Sequence, residues 1–171
     1  MNPKKLLLII VVLFSAQMVA SSCGTPKTKH AYMRKTYKKL KRSLKSSAHV
    51  SQLNDTVKVI FPSNLMFDFN SASISGTIIP KMQRFATALN KFDRTAILVN
   101  GHTDNKGAEH YNNELSSRRA DSAKIVLSQF KVQPERINTW GMGMRHPVAS
   151  NETEEGRALN RRVEFVILYK E

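Results

Sequence analysis

The chain has 171 residues and a formal net charge of +14, a size that accommodates one domain with appendages, and its only cysteine, Cys23, excludes an intramolecular disulfide. The charge is uneven: residues 24–50 carry nine Lys or Arg and no acid, whereas residues 51–171 carry 16 Lys or Arg against 13 Asp or Glu. A domain so close to neutral argues against nucleic acid as a partner, because a nucleic-acid-binding domain needs a basic surface.

Residues 1–22 have the pattern of a lipoprotein signal peptide. Two lysines precede an unbroken apolar run at residues 6–14, which is too short to span a bilayer as a permanent helix. Small residues then lead to Cys23, as in a lipobox, although Ala20 stands where such a motif usually has Leu. The sequence therefore predicts lipidation at Cys23. The alternative is ordinary cleavage that leaves an incidental thiol.

Residues 23–50 are predicted to form the lipidated Cys followed by a basic tether. Four apolar residues recur at spacings of four, three and four, namely Met33, Tyr37, Leu40 and Leu44. This spacing permits a short amphipathic helix over residues 31–46, lying on anionic lipid or on a partner. The alternative, which we favour from the sequence, is a solvated tether whose periodicity is accidental.

Residues 51–171 are predicted to form one α/β domain. Alternation and β-branched residues predict strands at 56–61, 95–103, 136–142 and 162–169, with a further extended segment at 65–69. Apolar stripes predict helices at 80–91 and 109–130, and Thr153 begins a short third one. The order βαβαβ(α)β indicates an α+β sandwich, with one mixed sheet covered by two main helices. A domain of this size can bury a core without metal or disulfide.

The stretch at residues 101–120 combines the end of a strand, a polar turn and the start of a helix. Apolar residues of that helix fall on one face up to Phe130, and nearer its start the same face carries Asn112, Ser116 and Arg119. An inward face that changes from apolar to polar predicts a lined cavity. Asp104, at the end of the strand, should lie across this cavity from Arg119.

An Asp and an Arg on opposite sides of a cavity suit a zwitterionic ligand. The guanidinium of Arg119 can clamp a carboxylate through two hydrogen bonds, and Asp104 can accept from an ammonium group. The alternative is that the two side chains simply pair with each other as a structural bridge.

The same stretch resembles the signature of the OmpA-like peptidoglycan-binding domain, found also in peptidoglycan-associated lipoproteins and flagellar motor stator proteins. The family pattern is matched by Gly101, His102, Thr103, Asp104, Gly107, Asn112, Leu115, Ser116, Arg119 and Ala120. It continues through Gly141, Gly143, Pro147, Asn151, Gly156, Arg157 and the run from Asn160 to Glu164. The resemblance covers roughly residues 56–169.

The resemblance implies non-covalent binding to the peptide stem of peptidoglycan, through the zwitterionic end of meso-diaminopimelate. It implies that Asp104 takes the ammonium group and Arg119 the carboxylate. The other ligand-binding positions that it implies are Thr103, Asn112, Asp68 and Arg161. Since strand side chains alternate, we expect Arg162 to point to solvent when Arg161 faces the ligand.

Nothing in the sequence predicts an enzyme, a cofactor or a metal. The five histidines are scattered, and His102 belongs to the family motif as a structural residue. Asp104 and Glu109 are the nearest approach to a carboxylate pair for glycan hydrolysis, but Glu109 falls on the outer side of its helix.

These inferences predict a lipoprotein of the outer membrane whose periplasmic domain binds peptidoglycan. Gly24 after the cysteine favours the outer over the inner membrane by resemblance to lipoprotein sorting rules, and an envelope protein is a further candidate partner. The alternative is an interaction module that docks on a protein or an anionic glycan through its basic tail, the pocket being vestigial.

Overall fold

A five-stranded mixed sheet forms the centre of the computed structural model, which describes residues 28–45, 47–68 and 71–171. The strands are β1 (His49–Leu53), β2 (Thr56–Pro62), β3 (Thr95–His102), β4 (Ile137–Gly143) and β5 (Arg162–Tyr169). Their order across the sheet is β1-β2-β5-β3-β4, with β3 and β4 parallel and the other neighbours antiparallel. The predicted strand at 162–169 is thus the central strand, β5.

The helices are α1 (Lys29–Ser43), α2 (Ser63–Met66), α3 (Ile79–Leu89), α4 (Glu109–Gln129) and α5 (Glu154–Asn160), with 3-10 turns at Gly76–Ile78 and Pro134–Arg136. The predicted α/β class, the mixed sheet and the helices α3 and α4 are confirmed. The extended segment predicted at residues 65–69 is wrong in its first part, because Ser63–Met66 forms a single helical turn. None of the described helices is long and apolar enough to cross a membrane.

Aromatic packing fixes the centre of the core. Phe61 of β2, Phe85 of α3 and Phe165 of β5 are fully buried, and their ring centroids lie 5.0 to 5.8 Å apart. Inward residues alternate along β5 as expected for a strand packed on helices, and Val163 and Ile167 flank Phe165 on the same face. The helices therefore sit on the face of the sheet that these side chains define.

Helix α1 belongs to this core, so the predicted solvated tether is wrong for residues 28–45. Thr28 caps the helix by accepting a hydrogen bond from the N–H of Ala31 at 3.2 Å. Met33 and Leu40 are fully buried, and Leu44 is 1% exposed. The periodicity that the sequence showed is therefore real helical amphipathicity, and the packed part of the chain extends upstream of residue 51 to the start of this helix.

Tyr32 ties the first turn of α1 to one end of the sheet. Its ring packs edge-on against Tyr169 at the end of β5 and against Phe92 just before β3, with centroids 5.5 and 5.6 Å apart. Its hydroxyl accepts a hydrogen bond from the N–H of Arg94 at 3.1 Å. The helix thus begins at the end of the sheet where β3 starts and β5 finishes.

Arg136 is a buried clamp at the same end of the sheet. Its Nε donates to the carbonyl of Thr95 at 2.9 Å, and Nη2 donates to the carbonyl of Phe92 and the hydroxyl of Thr95, both at 2.7 Å. Burial lowers the pKa of the Arg136 guanidinium, and these acceptors compensate for its removal from water. The clamp joins the chain before β4 to the turn that enters β3.

Candidate functional site

A cleft of about 510 Å³ opens at the end of β3 beside the start of β5. All six predicted ligand-binding residues line it: Asp68, Thr103, Asp104, Asn112, Arg119 and Arg161. They come from four separate stretches of sequence, namely the segment after α2, the loop after β3, helix α4 and the entry to β5. The structure therefore brings together every residue of the predicted site, whereas Cys23 lies outside the described residues.

Small residues let helix α4 approach β3 and so define the floor of the cleft. A Cβ atom at Gly101 would collide with the main-chain carbonyl of Ser116, which leaves no room for any side chain. Ser116 Oγ donates to the carbonyl of Asn113 and accepts from the N–H of Gly143, joining α4 to the end of β4. The polar half of the inward face of α4 is therefore held directly against the strand ends.

The loop after β3 holds Asp104 at the edge of the cleft. Asp104 Oδ1 accepts from the N–H of Lys106 at 3.0 Å, and Asn112 Nδ2 donates to the carbonyl of Lys106 at 2.9 Å. Gly107 in this turn has a positive φ of 86°, a conformation that glycine adopts readily. Asp104 is 8% exposed and Asn112 is 2% exposed, so the loop and the first turn of α4 form one rigid wall.

Arg119 lies on the other side, reaching from the middle of α4. Its Nε donates to the carbonyl of Ser71 at 2.9 Å, and its guanidinium stacks over the ring of Phe67 with 5.2 Å to the centroid. Burial lowers the pKa of Arg119, and the nearby Arg161 acts in the same direction. Among the described residues Asp104 pairs with Arg161 and not with Arg119, so the structural bridge considered from the sequence is not formed.

Arg161 bridges two carboxylates across the mouth of the cleft. Its Nη1 donates to Asp104 Oδ2 at 2.7 Å, and its Nη2 donates to Glu154 Oε1 at 2.6 Å. Burial disfavours the charged guanidinium, but the hydrogen bonds to Asp104 and Glu154 outweigh it and raise the pKa of Arg161. Hydrogen bonds from Arg161 and then Arg157 lower the pKa of Glu154.

The cleft is lined by equal numbers of opposite charges. Its acids are Asp68, Asp104 and Glu154, and its bases are Lys106, Arg119 and Arg161. A formally neutral site with separated charges favours a ligand that is itself neutral overall but carries both signs. A polyanion would gain little from it, since the three acids offset the three bases.

Arg162 is a correction to the sequence analysis, because its side chain is buried rather than solvent-facing. Only 4% of it is exposed, and Nε donates to Glu164 Oε1 at 2.8 Å. Glu164 also accepts from Lys58 Nζ at 2.9 Å. Burial would raise the pKa of Glu164, but the hydrogen bonds from Lys58 and Arg162 outweigh it and lower it. Arg161 and Arg162 do point to opposite faces as predicted, but the face that carries Arg162 is covered by other residues and not exposed to solvent.

His102 sits beside this pair and is a buried neutral histidine. Burial, reinforced by the charge of Arg162, lowers its pKa to about 4. Within the described part of the chain no three His, Cys, Asp or Glu side chains meet as a metal site would require. His102 therefore belongs to the packing beneath the cleft.

Sequence reasoning missed several residues that line the cleft, and two of them, Glu154 and Phe67, contact predicted side chains directly. Glu154 begins α5 and pairs with both Arg157 and Arg161, at helical spacings of three and seven residues that the sequence displays. Phe67 supplies the ring on which Arg119 rests, and no local pattern distinguishes that contact from ordinary core packing. The spacing of the charged residues could have identified Glu154 from the sequence, whereas nothing in the sequence marks Phe67 as a residue of the site.

Asn160 holds the loop that precedes α5, a role that the motif alone did not reveal. It is fully buried. Its Oδ1 accepts from the N–H groups of Val148 and Ala149 at 2.8 and 3.1 Å, and its Nδ2 donates to the carbonyl of Ala149 and to Asn151 Oδ1. By bracing this loop, Asn160 fixes the start of α5 and hence Glu154.

The sequence and the fold are similar to those of known proteins. The model of the OmpA family matches residues 66–161. Outer membrane protein A of Bordetella avium is 40% identical over 65% of this chain and 57% of its own length, and probable lipoprotein YiaD of Escherichia coli K12 is 37% identical over 69% and 54%. The chain thus spans about half the length of these relatives.

A solved structure described as the cell wall anchor of the type VI secretion system (T6SS) from Pseudomonas aeruginosa superposes with a TM-score of 0.70 at 31% identity. The match covers 77% of this chain and 97% of that one. The family model matches more than half of the residues, and the chain belongs to the OmpA family.

Proposed function

We propose that this chain is a non-catalytic lipoprotein that links the outer membrane to peptidoglycan. The observation that carries the proposal is the convergence of Asp104 and Arg119 on one cleft without an ion pair between them. Each is held by other groups, Asp104 by Arg161 and Arg119 by Ser71, so each presents its remaining hydrogen-bonding capacity to the cavity. The relatives described as a cell wall anchor and as a lipoprotein support this choice.

The ligand is the free end of meso-diaminopimelate in the stem peptide, where one carbon carries an ammonium and a carboxylate. The ammonium group lies against Asp104, whose two oxygens offer about four lone-pair positions, two of which accept from Lys106 and Arg161. The Nη groups of Arg119 clamp the carboxylate. Thr103, Asn112 and the backbone near Asp68 supply further hydrogen bonds around the same carbon.

Membrane attachment is assigned to Cys23, through its lipidation. Between Cys23 and Thr28, where the described structure begins, the chain can span at most about 18 Å. The start of α1 then lies near the lipid, at the end of the sheet where β3 begins, whereas the cleft lies where β3 ends. Eight residues of strand separate the two ends by about 25 Å. The proposed lipid anchor and the proposed peptidoglycan-binding cleft therefore lie at opposite ends of the domain.

Peptidoglycan pull-down with single variants tests the cleft. Arg119→Lys keeps the charge but loses the two-pronged donor geometry, so most binding should be lost. Arg118→Lys is the matched control, because Arg118 is the exposed neighbour whose described partner is Glu114. Thermal melting of both variants shows that the fold is intact. If Arg119→Lys is retained on peptidoglycan like the parent, the carboxylate clamp is wrong.

Detergent partitioning of Cys23→Ala tests the anchor separately. Variant protein of mature size should leave the detergent phase and be free in the periplasm, while any uncleaved precursor keeps its apolar run and is recognised by its larger size. Unchanged partitioning of the mature-sized variant would show that membrane attachment does not depend on acylation of Cys23. Peptidoglycan pull-down of the same variant should be unaffected.

A further inference from the structure

The outer side of α1 is a continuous basic face. Five exposed side chains form it, and we call them the basic face of α1: Arg34, Lys35, Lys38, Lys41 and Arg42. At 100° per residue they occupy an arc of about 120°, directly opposite the arc that contains the buried Met33, Leu40 and Leu44. Packing of the apolar side therefore fixes the direction in which all five cations point.

This charge has little compensation. The first acidic residue of the whole chain is Asp55, and among the described residues it pairs with Lys29 and His30 in the first turn of α1. No described carboxylate forms a salt bridge with Arg34, Lys38 or Arg42. A cluster of like charges at fixed positions repels itself, and an array of anions relieves that repulsion.

We infer that the basic face of α1 docks on the anionic phospholipid surface to which the chain is anchored. The inference rests on the proposed lipidation of Cys23, because only about 18 Å of chain then separates the acyl group from the start of α1. Over that distance the phosphate groups of the membrane are the nearest extended array of anions. Attraction to such a surface acts within about one Debye length, which is about 8 Å at physiological ionic strength.

Docking leaves the wall-binding cleft accessible. No residue of α1 lines the cleft, and α1 begins at the opposite end of the sheet. The apolar side of α1 is already buried in the core, so the contact with lipid is electrostatic and salt-sensitive rather than an insertion into the bilayer. The basic face therefore orients the domain on the membrane, while the lipid provides the attachment.

Sedimentation with vesicles tests this without the acyl group. The protein is residues 24–171, which contain every described element of the single core, mixed with phosphatidylcholine vesicles with or without about 30 mol % phosphatidylglycerol. We expect binding only to the anionic vesicles, and its loss when salt is raised from about 0.1 M to about 0.5 M. Each basic side chain near such a surface strengthens binding about fivefold.

A charge-matched pair of triple variants locates the contact. Arg34→Gln, Lys38→Gln and Arg42→Gln together should weaken vesicle binding on the order of 100-fold. The control removes the same number of charges near the other edge of the sheet, through Lys124→Gln at a half-buried residue and Lys131→Gln and Arg145→Gln at exposed ones. It should bind vesicles nearly as well as the parent. Equal losses in the two triple variants would mean that net charge alone acts, and the inference would be overturned.

Peptidoglycan pull-down of the same proteins separates this inference from the proposed function. We expect the α1 triple variant to bind peptidoglycan like the parent. If it loses peptidoglycan and keeps the vesicles, the basic face serves the wall and membrane docking is wrong. If the parent binds vesicles but not peptidoglycan, the proposed function fails while the docking surface stands.

Discussion

Leu40→Ala tests whether α1 is part of the fold or an accessory. Leu40 is fully buried between α1 and the rest of the core. Truncating a buried leucine costs about 2–5 kcal/mol, since transfer energy is lost and a cavity remains. The higher helix propensity of Ala returns only a few tenths of a kcal/mol, so a net loss of about 3 kcal/mol is expected. That is a large share of a typical stability of about 5–15 kcal/mol.

Thermal melting followed by circular dichroism measures this loss. For a protein of this size 1 kcal/mol corresponds to about 3–4 °C, so Leu40→Ala should lower the Tm by roughly 10 °C. Lys38→Ala is the control from the exposed side of the same helix, and it should change stability by less than about 0.5 kcal/mol. If Leu40→Ala melts within about 2 °C of the parent, α1 is not packed and the tether predicted from the sequence is correct.

Three further changes test other contacts. Gly101→Ala places a Cβ against the backbone of Ser116. It should therefore lower the free energy of unfolding in urea by about 1–3 kcal/mol and reduce peptidoglycan binding. The control Gly76→Ala, whose Cβ would have nothing within 4 Å, should do neither. Arg136→Met leaves buried acceptors without a donor and should cost about 2–3 kcal/mol in the same assay. Because the folded pKa of His102, about 4, lies below its ordinary 6.5, the unfolded chain takes up the proton first and stability should fall as pH drops from 6.5 to about 4. His102→Gln should flatten that part of the stability profile, and an unchanged slope would contradict it.

The elements with strong local patterns were predictable from sequence. The apolar stripe of α4 has the period of a helix, and the β-branched run of β5 is typical of a strand. The bounds of both elements lie within one residue of those predicted. The inward polar residues of α4, followed back from its apolar stripe, correctly indicated where the cleft lies. Periodicity identifies which side chains share a face, and this was sufficient for half of the site.

The remainder depended on tertiary contacts that no local pattern contains. The spacing in α1 was visible, but whether its apolar side had a surface to pack against depended on residues distant in sequence, such as Phe92 and Tyr169, which pack on Tyr32. Likewise the side chain of Arg162 is covered through contacts between distant residues: its Nη2 donates to the carbonyl of His146, and Lys58 of β2 pairs with its neighbour Glu164. The pairing of Asp104 with Arg161 rather than Arg119 also joins residues far apart in the chain.

The proposed function requires that the cleft recognise an ammonium and a carboxylate on one carbon. The most direct measurement compares two stem peptides by NMR titration of the parent chain, one with meso-diaminopimelate and one with lysine, which lacks the terminal carboxylate. A hydrogen-bonded charge contributes about 1.5–3 kcal/mol, so the diaminopimelate peptide should bind about 10- to 100-fold more tightly. Arg119→Lys should remove most of that preference. Equal affinity of the parent for the two peptides would contradict the proposed carboxylate clamp.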